Sequence, residues 1–387
     1  MRILSAIVLL ALCAGCPKPP PRLPDSLPEA QLPPTNPEWT RDLPATLREV
    51  RLHAAQDCVF VTGVDTAAGS DRTQICVDSL SGEPKWAHSD PVHSAVHAVD
   101  TYFILDTCLL HAWREGLVCV TRSDGTEKWR FEGGEGESLY ATHVVGETVV
   151  VSVANQRMVV LNGATGAVVR EMPLADDPIK AVAATSRGPV AVVAEVSDSE
   201  SGEAALVGVD VGTGERLWSL PVGSWSYEVQ VVGETLVGWL REGQFWGVSA
   251  VDGTVTWRIS EDELPGTPQF GSRHLLLSKA GESLSILAVT PAGLPTSKAQ
   301  WTLTIPTQRG LLGVEELPHD PRALGATLDT FFQYDTTTGR LGWTYSFNRG
   351  AEPGPWTNAS SNGDALFLYF EREGQAGQLK RIPVLAE

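Results

Sequence analysis

A glycine followed four residues later by a tryptophan recurs along this chain, and it limits the possible folds more than any other feature. The pattern is Gly82 with Trp86 in "VDSLSGEPKW", Gly125 with Trp129 in "VTRSDGTEKW", Gly214 with Trp218 in "VDVGTGERLW", Gly253 with Trp257 in "VSAVDGTVTW" and Gly339 with Trp343 in "YDTTTGRLGW". "LNGATGAVVR" keeps the glycine, Gly166, but carries Arg170 in the tryptophan position, and "LAVTPAGLPTSKAQWTLTIP" keeps Gly293 but delays its tryptophan to Trp301. Successive glycines lie 43, 41, 48, 39, 40 and 46 residues apart. A period of about 40 to 45 residues built from short alternating strands is that of propeller blades, units that cannot bury their apolar faces alone.

The unit has a physical reading. Glycine takes the positive φ of a hairpin turn, and Asp78, Asn162, Asp210 and Asp335, four residues earlier, suit local backbone hydrogen bonding. A tryptophan at fixed offset offers an apolar face to the next blade and an N–H for one of its carbonyls. With four strands A to D per blade, the fourth blade runs A 179–184, B 189–196, C 204–210 and D 216–220. The others span 47–88, 93–131, 139–173, 226–259, 267–304 and 310–346. "WTNAS", "ALFLYFE" and "QLKRIPV" then supply strands A to C of an eighth blade without a D strand. "PEWTRDLP" near the N-terminus resembles the D strands, with Trp39 in the docking position. The expected fold is therefore all-β, an eight-bladed propeller over 38–387 closed by residues 38–43; seven blades with stray termini is the alternative.

Ahead of that body stands "MRILSAIVLLALCAGC", with Arg2, an apolar run from Ile3 to Leu12 and then small residues before Cys16. The run is too short for a stable membrane span and reads as an export signal over 1–15. "CAGC" resembles a bacterial lipobox, which implies lipidation of Cys16, although Cys13 occupies the place where that pattern usually has leucine. An ordinary cleaved signal is the other reading. The proline-rich stretch over 16–37 is a spacer that would reach about 70 Å if extended at ~3.1 Å per residue. Acidic residues number 47 and basic ones 29, giving a net charge of −18. That balance repels phosphate backbones, so no nucleic-acid partner is expected, and membrane contact is expected only through the N-terminal lipid.

The D-x-x-T-G-x-x-x-W units resemble the tryptophan-docking repeats of pyrroloquinoline-quinone-type propellers. Quinoprotein dehydrogenases share that fold, and the resemblance implies for them adjacent disulfide-bonded cysteines, a calcium held by carboxylates and an amide, and a carboxylate base. This chain has no Cys-Cys dipeptide and no C-x-x-C-H haem motif. Lipobox, spacer and a propeller of this size together resemble the BamB type of lipoprotein. That resemblance implies a non-catalytic scaffold in the cell envelope, at the outer membrane facing the periplasm, with a protein partner and no cofactor. A quinone-dependent dehydrogenase and a ligand-binding or sensor propeller are the alternatives.

Local chemistry adds little. His88, His93 and His97 in "HSDPVHSAVH" lie on one strand and its lead-in and cannot surround a zinc ion. "GGEGES" near Gly133 lacks the lysine and helix of a phosphate loop, and "SDSESGE", 197–203, reads as an acidic hairpin tip. No catalytic, cofactor or metal residue is assigned. Cys58 with Cys76, and Cys108 with Cys119, fall on neighbouring strands B and C of blades 1 and 2 and are candidate disulfides in an exported protein. By strand direction the B–C and D–A connections share one face of the ring. Trp113, Trp225 and Trp356 fall there and are the candidate partner anchors, set apart from the docking residues Trp39, Trp86, Trp129, Trp218, Trp257, Trp301 and Trp343.

Overall fold

The computed structural model describes residues 38–383, apart from 68–70, 91–100, 155, 175–178, 199–202, 224–228, 242, 265, 272, 282, 290–298, 308–310, 317–321, 328–329, 347–355, 363 and 371–375. Eight antiparallel sheets of four strands each form an eight-bladed propeller. In seven sheets the strands pair in chain order, as in blade 4, with A Ile179–Thr185, B Gly188–Asp198, C Glu203–Asp210 and D Arg216–Gly223. Neighbouring A strands touch one another, which sets them around the axis and leaves the D strands outermost. The eighth sheet takes A Trp356–Ser361, B Ala365–Phe370 and C Gln378–Pro383 from the end of the chain and Trp39–Asp42 from its beginning. The closing register runs from Trp39 opposite Arg381 to Asp42 opposite Gln378.

The repeat works as a latch between blades. Gly82, Gly125, Gly166, Gly214, Gly253 and Gly339 all sit at φ between 69° and 80°. The ring of Trp39 lies on Gly82, Trp86 on Gly125, Trp129 on Gly166, Trp218 on Gly253 and Trp301 on Gly339, so closely that a Cβ at each glycine would lie 2.5 to 2.8 Å from the ring. Each indole N–H donates to the carbonyl three residues before that glycine: Ser79, Arg122, Gly163, Ala250 and Thr336. Side-chain oxygens of Asp78, Asn162, Asp210 and Asp335 accept the turn N–H groups. Hydrogen bonds from Ser81, first its backbone N–H, and from Lys85 hold the Asp78 carboxyl down to about 2.

Among the described residues two junctions depart from the pattern; Gly293, which Trp257 would meet, lies outside them. Blade 3 has Arg170 at the docking position, and Met172 packs on Gly214 in its stead, its sulfur 2.6 Å from where a Cβ would stand. Trp343 points at blade 8, whose C and D strands come from opposite chain ends and so share no hairpin. Its buried indole N–H has no acceptor among the described residues.

Cys58 is bonded to Cys76 and Cys108 to Cys119, with Cα separations of 5.8 and 5.7 Å. Both bridges are diagonal: Cys58 stands opposite Asp78 and Cys76 opposite Phe60, while Cys108 stands opposite Thr121 and Cys119 opposite Leu110. All four cysteines are buried, on the blade 1–2 and blade 2–3 interfaces. Non-reducing peptide mapping should recover these two pairings, and each bridge should contribute about 3 kcal/mol against the reduced protein.

Candidate partner-docking site

The B–C hairpin of blade 2 is two residues wide at its tip, with the Trp113 N–H donating to the Gly116 carbonyl at 2.9 Å. Beside it runs the connection from strand D of blade 2 to strand A of blade 3, the "GGEGES" segment. Gly133 N–H donates to Glu115 O, Leu139 N–H to Arg114 O, and Arg114 Nε to Ser138 Oγ. The segment closes on itself where Glu137 accepts the Gly134 N–H at 2.6 Å and binds Arg157. The Arg157 guanidinium, with the Gly134 amide, holds the Glu137 carboxyl below the usual carboxylate range. The result is a cleft of about 470 Å³ lined by Trp113, Arg114, Arg130 and residues of the 132–138 connection. The "GGEGES" segment is thus the rim of a cleft on this face.

Trp113 differs from its expected part as a protruding anchor. It is only 9% exposed. Its ring packs against His111 at 5.3 Å and under the Arg130 guanidinium at 5.5 Å, and the absence of a side chain on Gly116 makes room for it. His111 in turn stacks on Tyr102 at 4.5 Å, and Tyr102 meets His53 at 5.3 Å. Trp113 is therefore the fixed wall of the cleft, at the end of a ladder of rings reaching in to strand A of blade 1. The exposed aromatic is Tyr140, at 53%, two residues beyond the rim residue Ser138. A bulge between Leu139 and Ala141 turns it outward from strand A of blade 3. Its place within an alternating apolar run gave no sequence signal.

Burial, then the nearby Arg51 charge, pushes His53 down from 6.5 to about 4, so the folded protein holds it neutral where the unfolded chain is protonated. Between those values the unfolded state binds more protons, and stability must fall as pH drops from 6.5 towards 4. The difference amounts to about 3 kcal/mol. Thermal melts of His53→Gln should show a flatter dependence over that window than the parent protein.

A second cleft on the same face, of about 510 Å³, lies between blades 5 and 6 and is lined by Trp239, Leu264, Pro268 and Lys279. Trp356 opens strand A of blade 8, paired with Phe370. Trp225, His93, His97, Cys16 and the centre of the 197–203 tip lie outside the described residues. His88 stands opposite Gln74 on the blade 1 hairpin, and among the described residues no three His, Cys, Asp or Glu side chains converge as metal ligands.

Residues 180–317 match the family model described as outer membrane protein assembly factor BamB. That stretch is BamB-like, and the whole chain folds as a propeller of the pyrroloquinoline-quinone type. No curated protein matches this chain. Among solved structures, the propeller is similar to the computationally designed Ika8 protein at 14% identity and TM-score 0.58, covering 88% of this chain and 98% of that one. It is similar to BamB from Moraxella catarrhalis at 14% identity and TM-score 0.50, covering 90% and 99%. It is also similar to quinohemoprotein alcohol dehydrogenase ADHIIG from Pseudomonas putida HK5 at 10% identity and TM-score 0.54, covering 91% and 77%. At these identities the likeness concerns the fold. The sequence lacks the adjacent cysteines that the resemblance implies for the quinoprotein dehydrogenases.

Proposed function

We propose that this protein is a non-catalytic scaffold, tethered to the outer membrane through a lipid on Cys16 and a proline-rich spacer, which holds a protein partner on its B–C/D–A face and serves outer-membrane protein assembly. The observation that carries the reading is the blade 2–3 cleft, a rigid aromatic wall in Trp113 with Arg114 and Arg130 in its lining, and the exposed Tyr140 two residues along the chain from its rim residue Ser138. Aromatic and arginine side chains of this kind are what interface centres use. The BamB-like repeats supply the functional context. The acidic sequence of the segment 197–203 favours a basic partner surface.

Tyr140→Ala and Arg114→Glu should each reduce partner recovery by at least tenfold, about 1.4 kcal/mol, with an unchanged melting temperature. Full recovery in both variants would remove the cleft from the account. Cys16→Ala should move the protein from the membrane to the soluble fraction. Quinone and calcium added to the purified protein should leave its absorption spectrum that of the free quinone; a bound-cofactor spectrum with dehydrogenase turnover would contradict the scaffold reading.

A further inference from the structure

The junction between blades 3 and 4 is latched by a different kind of side chain from its neighbours. At Gly82, Gly125, Gly166, Gly253 and Gly339 the seat on the turn glycine is filled by an indole ring. Each of those rings also donates its N–H to a carbonyl of the same turn. At Gly214 the seat is filled by the thioether of Met172, with its sulfur 2.6 Å and its Cγ 3.3 Å from where a Cβ would stand. A thioether has no N–H to give, so this latch rests on packing.

The chain has 3 methionines. Met1 belongs to the leader, Met158 is 0% exposed, and Met172 is half-buried on the outermost strand of its sheet. Met158 and Met172 stand opposite one another on strands C and D of blade 3. Both pack in the apolar layer between blades 3 and 4, with Val150, Val160, Val193 and Val211. The two thioethers therefore share one neighbourhood and differ in access. Cys58, Cys76, Cys108 and Cys119 are already oxidised, as disulfides, and do not compete for an oxidant.

An accessible thioether accepts oxygen from a peroxide. The Met172 sulfur gives up an electron pair, an S–O bond forms and the peroxide O–O bond breaks. The transferred oxygen loses its proton, and the other oxygen takes it up and leaves as water. The sulfoxide is polar, and its seat is not equipped for it. The amides of Thr213, Gly214 and Glu215 already donate within the turn, to Asp210 and to the Thr213 hydroxyl. A sulfoxide oxygen held among the aliphatic side chains lacks a donor, and one turned out to water draws the sulfur off Gly214.

We propose that Met172 is an oxidation site for peroxides and that its sulfoxide unlatches blade 3 from blade 4. A thiol-dependent methionine sulfoxide reductase reverses the step. The site is separate from the partner cleft, which is built at the junction of blades 2 and 3.

Hydrogen peroxide added to the purified full-length protein, followed by peptide mass mapping, measures oxygen uptake at each methionine. Met172 should oxidise at least about tenfold faster than Met158. The protein oxidised at Met172 should melt about 3 °C below the parent. Its hydrogen exchange should quicken first at Val168–Pro173 and at the 211–215 turn. Met172→Leu keeps the apolar volume, so it should melt as the parent does and lose no stability in peroxide, whereas Met158→Leu should keep the full response. Equal oxidation of the two methionines would overturn the proposal. So would Met172 sulfoxide with unchanged melting and exchange, or a Met172→Leu variant that peroxide destabilises as much as the parent.

Discussion

Removing Glu38 to Leu43 lowers stability by more than about 5 kcal/mol, beyond what single core substitutions ordinarily cost. Four ladder pairs are lost at once, and strand C of blade 8 becomes a free edge. The Trp39 ring leaves Gly82 and Phe367, and its N–H leaves the Ser79 carbonyl. Arg41 releases the Gly82 carbonyl and Glu83. The largest single contribution comes from Arg381, 6% exposed and paired with Glu38. Stripped of that partner it becomes a buried unpaired charge, a loss of about 3–5 kcal/mol by itself. Chemical denaturation of the truncated protein, compared with Trp39→Ala and Glu38→Gln, measures how the loss divides. A truncation no less stable than Trp39→Ala would refute closure by this strand.

Replacing Trp129 by alanine costs about 4 kcal/mol, because an 8%-exposed ring spanning blades 2 and 3 leaves a cavity and the Gly163 carbonyl loses its donor. Met172→Ala, at the junction where the thioether stands in for indole, costs about 2 kcal/mol. The conservative exchange separates ring from hydrogen bond. Trp129→Phe should lose about 1 kcal/mol beyond its packing change, whereas Trp343→Phe discards a donor that has no acceptor among the described residues and should lose less. Equal losses in the two phenylalanine variants would show that the indole hydrogen bond adds nothing to the latch.

Why the blades were legible and the site was not follows from where each signal resides. The turn glycines and their tryptophans are local: φ near +70° and a ring seat on the next blade admit few residue types, so the pattern repeats visibly. Closure by "PEWTRDLP" was legible for the same reason. Met172 in place of Trp was not, because it reaches Gly214 from two residues further along the strand. Strand neighbours suggested the cysteine pairs, but not their diagonal offset, which depends on register. Trp113 read as a tip anchor because its position on the hairpin was correct. Its burial comes from His111, Arg130 and Gly116, contributed by its own and neighbouring strands. Tyr140 is turned out by a bulge, and the cleft exists only where a hairpin and an inter-blade connection of the same blade run side by side.

Site-specific photo-crosslinking in cells tests the central claim most directly. A photoreactive phenylalanine at Tyr140, on the B–C/D–A face, is compared with one at Leu80, 74% exposed in the glycine turn of blade 1 on the opposite face. The account predicts a discrete adduct with an envelope protein from position 140, diminished by Arg114→Glu, and none from position 80. Adducts of equal yield from both positions, or from position 80 alone, would contradict a partner seated on the blade 2–3 cleft.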